Sequence, residues 1–74
     1  MNVTVKLFAS FRAGRFDIET SNYPDGTTVA DVADSLKLPQ SELGIMMINN
    51  RHVKLDHLLS DGDTLALFPL LGGG

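Results

Sequence analysis

The sequence predicts an α+β domain in which a sheet of about four to five strands packs on one main helix. Three observations carry that expectation. Two segments near the start alternate apolar and polar residues with a period of two, one central segment repeats at helical spacing, and an apolar segment closes the chain. A single helix cannot bury both faces of a sheet, so one face packs on the helix and the other stays mostly wet.

The elements follow in order. In NVTVKLF, Val3, Val5 and Leu7 alternate with Asn2, Thr4 and Lys6, as in a half-buried strand. RFDIETS repeats the pattern, with Phe16, Ile18 and Thr20 assigned to the core face. ASFRAG joins them as a turn in which Gly14 is free to take a positive φ, so the pair reads as a hairpin. NYPDGTT then breaks the chain. Thr28 is placed to cap a helix, with Asp31 near the positive end of its dipole. Val29, Val32, Ala33 and Leu36 form its apolar stripe, and Pro39 is expected to stop it. GIMMIN reads as a short strand, NNR as a turn and HVKL as a brief return strand. SDGD, Ser60 to Asp63, is a turn before a last strand from Thr64 to Phe68, which is apolar on both faces and so belongs at the centre of the sheet. The expected core is Val3, Val5, Leu7, Phe16, Ile18, Val29, Val32, Leu36, Ile45, Met47, Leu65 and Leu67.

Composition excludes several functions. The 74 residues contain 6 basic and 9 acidic side chains, a net charge of −3 that lacks the basic footprint of a nucleic-acid binder. Arg12 and Arg15 read as a solvated edge. With no cysteine there is no disulfide, thiolate metal site or cysteine nucleophile. His52 and His57 have no third ligand fixed by spacing, so no metal site is expected. SDGD lacks the alternating ligands of a calcium loop. None of the serines sits in a G-x-S-x-G elbow. Neither a signal peptide nor a membrane span is expected, which makes a cytoplasmic protein the simplest reading.

The chain ends LFPLLGGG. Pro69 has no N–H for a sheet ladder, so the last strand is expected to end there. Leu70 and Leu71 are then exposed at the root of a glycine tail, and exposed apolar residues there suggest docking onto another protein. Glycine permits close backbone approach, as a narrow channel in a partner requires. The group at the tip with latent chemistry is the Gly74 α-carboxylate. Adenylation would make it a mixed anhydride open to a sulfur or nitrogen nucleophile.

A hairpin, one helix, further strands and a terminal Gly-Gly resemble the ubiquitin-like β-grasp fold, which implies a mixed sheet. VKLFASFR near the start, LLSDGDTLALFP near the end, Asn49 after IMMI and Gly73-Gly74 at the tip are similar to the MoaD/ThiS sulfur-carrier family, closest to its MoaD branch. Leu70 stands where that branch commonly has a second proline, and Gly72 where it often has Ala or Ser.

The resemblance implies a β-grasp domain over residues 1–70 and a flexible glycine tail over 71–74. It implies a carrier, not an enzyme, with Gly74 as the adenylated and then thiocarboxylated residue and Gly73 as its slender neighbour. Phe68, Pro69, Leu70, Leu71 and Gly72 form the implied partner-binding segment. The carrier itself holds no cofactor; ATP is used by a partner resembling the ubiquitin-activating enzymes. A MoaE-like large synthase subunit is the second implied partner, with sulfur passing to molybdopterin, and the carrier alone is a monomer. Two alternatives stay open: a ThiS-type carrier for the thiazole of thiamin, and a ubiquitin-like binding module or modifier that transfers no sulfur.

Overall fold

The computed structural model describes residues 1–70, and among them the chain forms five strands and one α-helix. Strands β1 (Asn2–Leu7) and β2 (Ile18–Asn22) pair antiparallel as the expected hairpin. The connection contains a 3-10 turn, Ala9–Arg12, whose Phe11 side chain is buried, and Gly14 takes φ +68°. Helix α1 (Val29–Ser35) starts at a reciprocal cap: the Asp31 N–H donates to the Thr28 hydroxyl at 3.2 Å, and the Thr28 N–H donates to the Asp31 carboxylate at 2.9 Å. The Val29 and Ala30 N–H groups donate to the carbonyls of His57 and Leu55. The late loop thereby satisfies donors that a helix start leaves unpaired.

α1 ends before Pro39. Lys37 takes φ +57°, the Leu38 N–H donates to the Ala33 carbonyl at 2.9 Å, and the Lys37 N–H donates to the Asp34 carbonyl at 3.0 Å. This left-handed cap turns the chain back and buries Leu38. Arg15 is exposed, as the solvated-edge reading expects, and it also caps the helix. Its guanidinium donates to the carbonyls of Leu36 (2.9 Å) and Lys37 (3.3 Å), covering the negative end of the helix.

Strands β3 (Leu43–Ile48), β4 (Arg51–His52) and β5 (Thr64–Pro69) complete the sheet in the order β2-β1-β5-β3-β4. β5 is central, as its two apolar faces predict; it pairs parallel with β1 and antiparallel with β3. Asn49 and Asn50 both have positive φ, 50° and 68°, the geometry of a tight two-residue hairpin turn between β3 and β4. One apolar cluster joins Val3, Val5, Leu7, Leu65 and Leu67 of the sheet to Val29, Val32 and Ala33 of the helix, with Phe11, Leu38, Ile48 and Leu59 closing its edges. A helix held across one face of a mixed sheet is the β-grasp arrangement. No described helix is long and apolar enough to cross a membrane.

Three core assignments are corrected. Ile18 is 58% exposed, because Val5 pairs with Glu19 and Val3 with Ser21, which sends Ile18 to the open face beside Lys6. A slip of one residue exchanges the faces of a strand, and Phe16, from which the phase was set, lies in the loop before β2 and is only partly buried. Ile45 and Met47 also lie on the open face. Met46 pairs with Leu67 and Ile48 with Leu65, so Met46 and Ile48 face the helix. The run IMMI is apolar throughout and carries no phase of its own. Leu36 is partly buried and packs against the cluster.

Leu65→Ala is expected to lower the unfolding free energy by about 2–5 kcal/mol, and Ile18→Ala by less than about 0.5 kcal/mol, in denaturant titrations. Equal costs would contradict the β1–β2 register.

Candidate functional site

Because β1 and β5 run parallel, their C-terminal ends emerge together. Phe8, just beyond β1, and Phe68, near the end of β5, therefore meet: their rings stack at 4.1 Å between centroids with an interplanar angle of 11°. The Arg12 guanidinium lies 5.4 Å from the Phe8 centroid. Arg12 Nε also donates to the Leu7 carbonyl at 2.8 Å and lies 3.5 Å from the Asp17 carboxylate. The stack is thus fixed from the hairpin side.

The stack borders a shallow depression of about 400 Å³ on the face opposite the helix. Lys6, Met47, Thr64 and Ala66 line it with the two phenylalanines, and Asn49 and Asn50 complete it. Ile45, 39% exposed, pairs with Phe68 and extends the apolar surface toward β3. The apolar half of this lining is aromatic and Met-containing, side chains enriched at protein-binding surfaces, and the other half is polar, with Lys6 its charged group.

Of the residues singled out in the sequence, Phe68 and Pro69 are partly exposed and Leu70 is 60% exposed at the end of β5. Leu71, Gly72, Gly73 and Gly74 lie outside the described residues. The strand ends at Pro69, as expected, one residue beyond the Thr64–Phe68 span, and the Leu70 N–H still donates to the Glu42 carbonyl at 2.8 Å. Pro69 stands opposite Leu43 at a sheet irregularity between Leu43 and Ile45, which relieves the ladder of the donor that proline lacks. Sequence reasoning missed Phe8, Ile45 and Met47. The signal was present for Phe8, a large aromatic on the otherwise polar phase of β1 (Asn2, Thr4, Lys6).

The motif residues SDGD and Asn49 are structural. The Asn2 N–H donates to the Asp61 carboxylate at 2.6 Å, the Gly62 N–H to the Asn2 carbonyl at 2.8 Å, and the Ser60 N–H to the Asp63 carboxylate at 2.8 Å. Gly62 takes φ +86°, which suits glycine. The Thr64 N–H donates to the Asn49 side-chain oxygen at 3.2 Å. His52 and His57 are exposed, and the described residues hold no cluster of three or more His, Cys, Asp or Glu suited to a metal.

Fold and open face together define a ubiquitin-like β-grasp protein with an apolar patch on its open sheet face next to the end of β5. The ThiS family model matches residues 5–74, and the chain belongs to that family. A Pyrococcus furiosus protein provisionally named molybdopterin converting factor, subunit 1, is similar at 33% identity and TM-score 0.73, over 93% of this chain and 97% of that one. Small archaeal modifier protein 1 (SAMP1) of Haloferax volcanii matches at 27% identity and TM-score 0.75, over all of both chains. A chain from the complex of subunits 1 and 2 of the Helicobacter pylori molybdopterin-converting factor, 20% identical with TM-score 0.66 over all of both chains, shares the fold. No curated protein matches the chain by sequence.

A double-mutant cycle on Phe8→Ala and Phe68→Ala is expected to give a coupling of about 0.5–1.5 kcal/mol in unfolding free energy. Additive effects would show that the stack contributes nothing beyond separate burial.

Proposed function

We propose that this protein is a sulfur carrier for molybdopterin synthesis whose reactive group is the α-carboxylate of Gly74. The observation that carries the reading is the placement of Phe68 and exposed Leu70 at the end of β5, continuous with the apolar open face and four residues before Gly74. Membership of the ThiS family and 33% identity to a molybdopterin converting factor subunit support it.

In this reading the chain is a substrate and the chemistry belongs to its partners. A carboxylate oxygen of Gly74 attacks the α-phosphorus of ATP on an activating enzyme, the bond to the bridging oxygen breaks, and pyrophosphate leaves. Hydrosulfide, or sulfur delivered as its equivalent, then attacks the acyl carbon and AMP leaves, giving a thiocarboxylate with no change of oxidation state. Gly73 and Gly72 keep the tip slender enough for a closed active site. The apolar face and Phe68, Pro69, Leu70 and Leu71 dock the carrier, first on the ATP-using enzyme and then on a large synthase subunit of the MoaE type. A subunit 1 implies a second subunit, which favours that partner. ATP supply places these steps in the cytoplasm.

The similarity to SAMP1 over the whole chain favours a second reading, a modifier joined through the same carboxylate to a lysine of a target. Sulfur transfer and conjugation share the adenylation step and part at the nucleophile. The thiamin branch differs from the leading reading only in the acceptor.

Extending the chain beyond Gly74, or deleting Gly74, is expected to abolish ATP–pyrophosphate exchange by the activating enzyme while leaving thermal unfolding unchanged. Full exchange with an extended C-terminus would overturn both acyl readings and leave a binding module. Leu70→Glu is expected to change stability by less than about 0.5 kcal/mol, as for an exposed site, and to weaken binding to the activating enzyme at least tenfold in calorimetry. Unchanged binding would remove Leu70 from the docking surface.

A further inference from the structure

One row of residues on the open face is explained by neither core packing nor turn chemistry. Across all five strands the register sets Ile18, Lys6, Ala66, Met47 and His52 side by side. Lys6 and Ala66 alternate with buried Val5, Leu7, Leu65 and Leu67, so the row lies on the face away from the helix. Ala66 is the smallest side chain in the row and sits on the central strand. Larger neighbours surround it: Lys6 and Met47 across the sheet, Thr64 and Phe68 along β5. The depression of about 400 Å³ is therefore a socket floored by Ala66.

Charge is divided between the two faces. The chain carries 9 acidic and 6 basic side chains. Within the strands, however, the one acidic residue is Glu19, which pairs with buried Val5 and so lies on the helix side. The open row holds Lys6 instead, with His52 at its β4 end. Among the described residues the one ion pair joins Arg12 to Asp17, and the exposed Lys6 ammonium has no carboxylate partner there. A cation at the edge of a partly apolar socket pairs more strongly with an incoming anion than it would in open water.

We propose that Lys6 is a specificity-determining residue of the docking face, and that the activating enzyme inserts a carboxylate-bearing side chain, Asp or Glu, into the socket over Ala66 to pair with it. This rests on the carrier reading above and names the chemistry of the partner surface which that reading requires. The mixed lining suits such a group. The Thr64 hydroxyl and the Asn50 amide are further donors for a carboxylate, while Phe8, Phe68 and Met47 cover its methylenes. A partner without the carboxylate would bury the ammonium unpaired, which discriminates against it.

The test is the dissociation constant of the full-length carrier for the activating enzyme of the same organism, by calorimetry, with thermal unfolding of each variant measured alongside. Lys6→Glu is expected to weaken binding at least about tenfold, by setting like charges against each other. Lys37→Glu makes the same change in net charge just beyond α1, on the other side of the sheet, and is expected to alter binding less than about twofold. Ala66→Leu fills the socket without changing charge and is expected to weaken binding at least about tenfold. A plain apolar contact surface predicts the opposite for Ala66→Leu, binding kept or tightened.

Both lysines are exposed, so their substitutions decide the matter even if Ala66→Leu fails to fold. Equal effects of Lys6→Glu and Lys37→Glu overturn the inserted carboxylate, as does binding of folded Ala66→Leu at the wild-type level or tighter. Either result leaves the carrier reading standing, because that reading has its own readout. Absence of ATP–pyrophosphate exchange with the wild-type chain overturns the carrier reading, and the inserted carboxylate with it.

Discussion

The parallel pairing of β1 with β5 is the constraint on which the rest of the structure depends. It joins the two ends of the chain, so most of the sequence must close into a loop before the pairing gives any return. The cost is offset at the strand starts by a compact set of bonds. The Ser60–Asp63 turn holds Asn2 through Asp61 and Gly62, the Thr4 N–H donates to the Asp63 carbonyl, and Asn49 ties the β3–β4 turn to Thr64. One end of the sheet is thereby locked. The core cluster under β1 and β5 then anchors α1, and the helix in turn receives the late loop on its first N–H groups and Arg15 on its last carbonyls.

The same pairing determines where the site lies. Strands that start together and run parallel also finish together, so Phe8 and Phe68 stack at the end opposite the lock. β3, running antiparallel to β5, begins at that end and brings Glu42 and Gly44 beside Pro69 and Leu70. The sheet therefore has a fastened end that specifies the fold and an apolar, more open end from which the C-terminal segment departs. The residues that resemble the family divide in the same way: SDGD and Asn49 hold the fold, while LFP leads to the proposed docking segment.

Much of this was legible in the sequence because it depends on local chemistry. The reciprocal cap at Thr28 and Asp31, the Asn49-Asn50 turn, the Gly62 turn and the centrality of a strand apolar on both faces all follow from residue types at fixed offsets. Face assignment was less legible wherever pattern carries no phase. IMMI is apolar on both faces, and Phe16 belongs to a loop and gave β2 the wrong phase. The early end of α1 was hidden because Lys37 adopts a left-handed conformation usually taken by glycine, with Arg15, remote in sequence, covering the carbonyls. The Phe8–Phe68 stack and the Gly44 contact depend on which strands neighbour one another, which no local pattern encodes. Gly73 and Gly74, which the family resemblance implies as the reactive tip, lie outside the described residues.

The central claim is that a chemically plain domain serves as a carrier because its last carboxylate can be activated and loaded with sulfur. The intact mass of the full chain after incubation with ATP, a sulfur source and an extract of its own organism tests this most directly. The expected result is a gain equal to replacing one oxygen by sulfur, assigned to Gly74 by fragmentation and dependent on ATP. An unchanged mass in an extract shown to contain a competent activating enzyme would contradict the claim, and a higher-mass adduct joined through Gly74 to lysine would transfer it to the modifier reading.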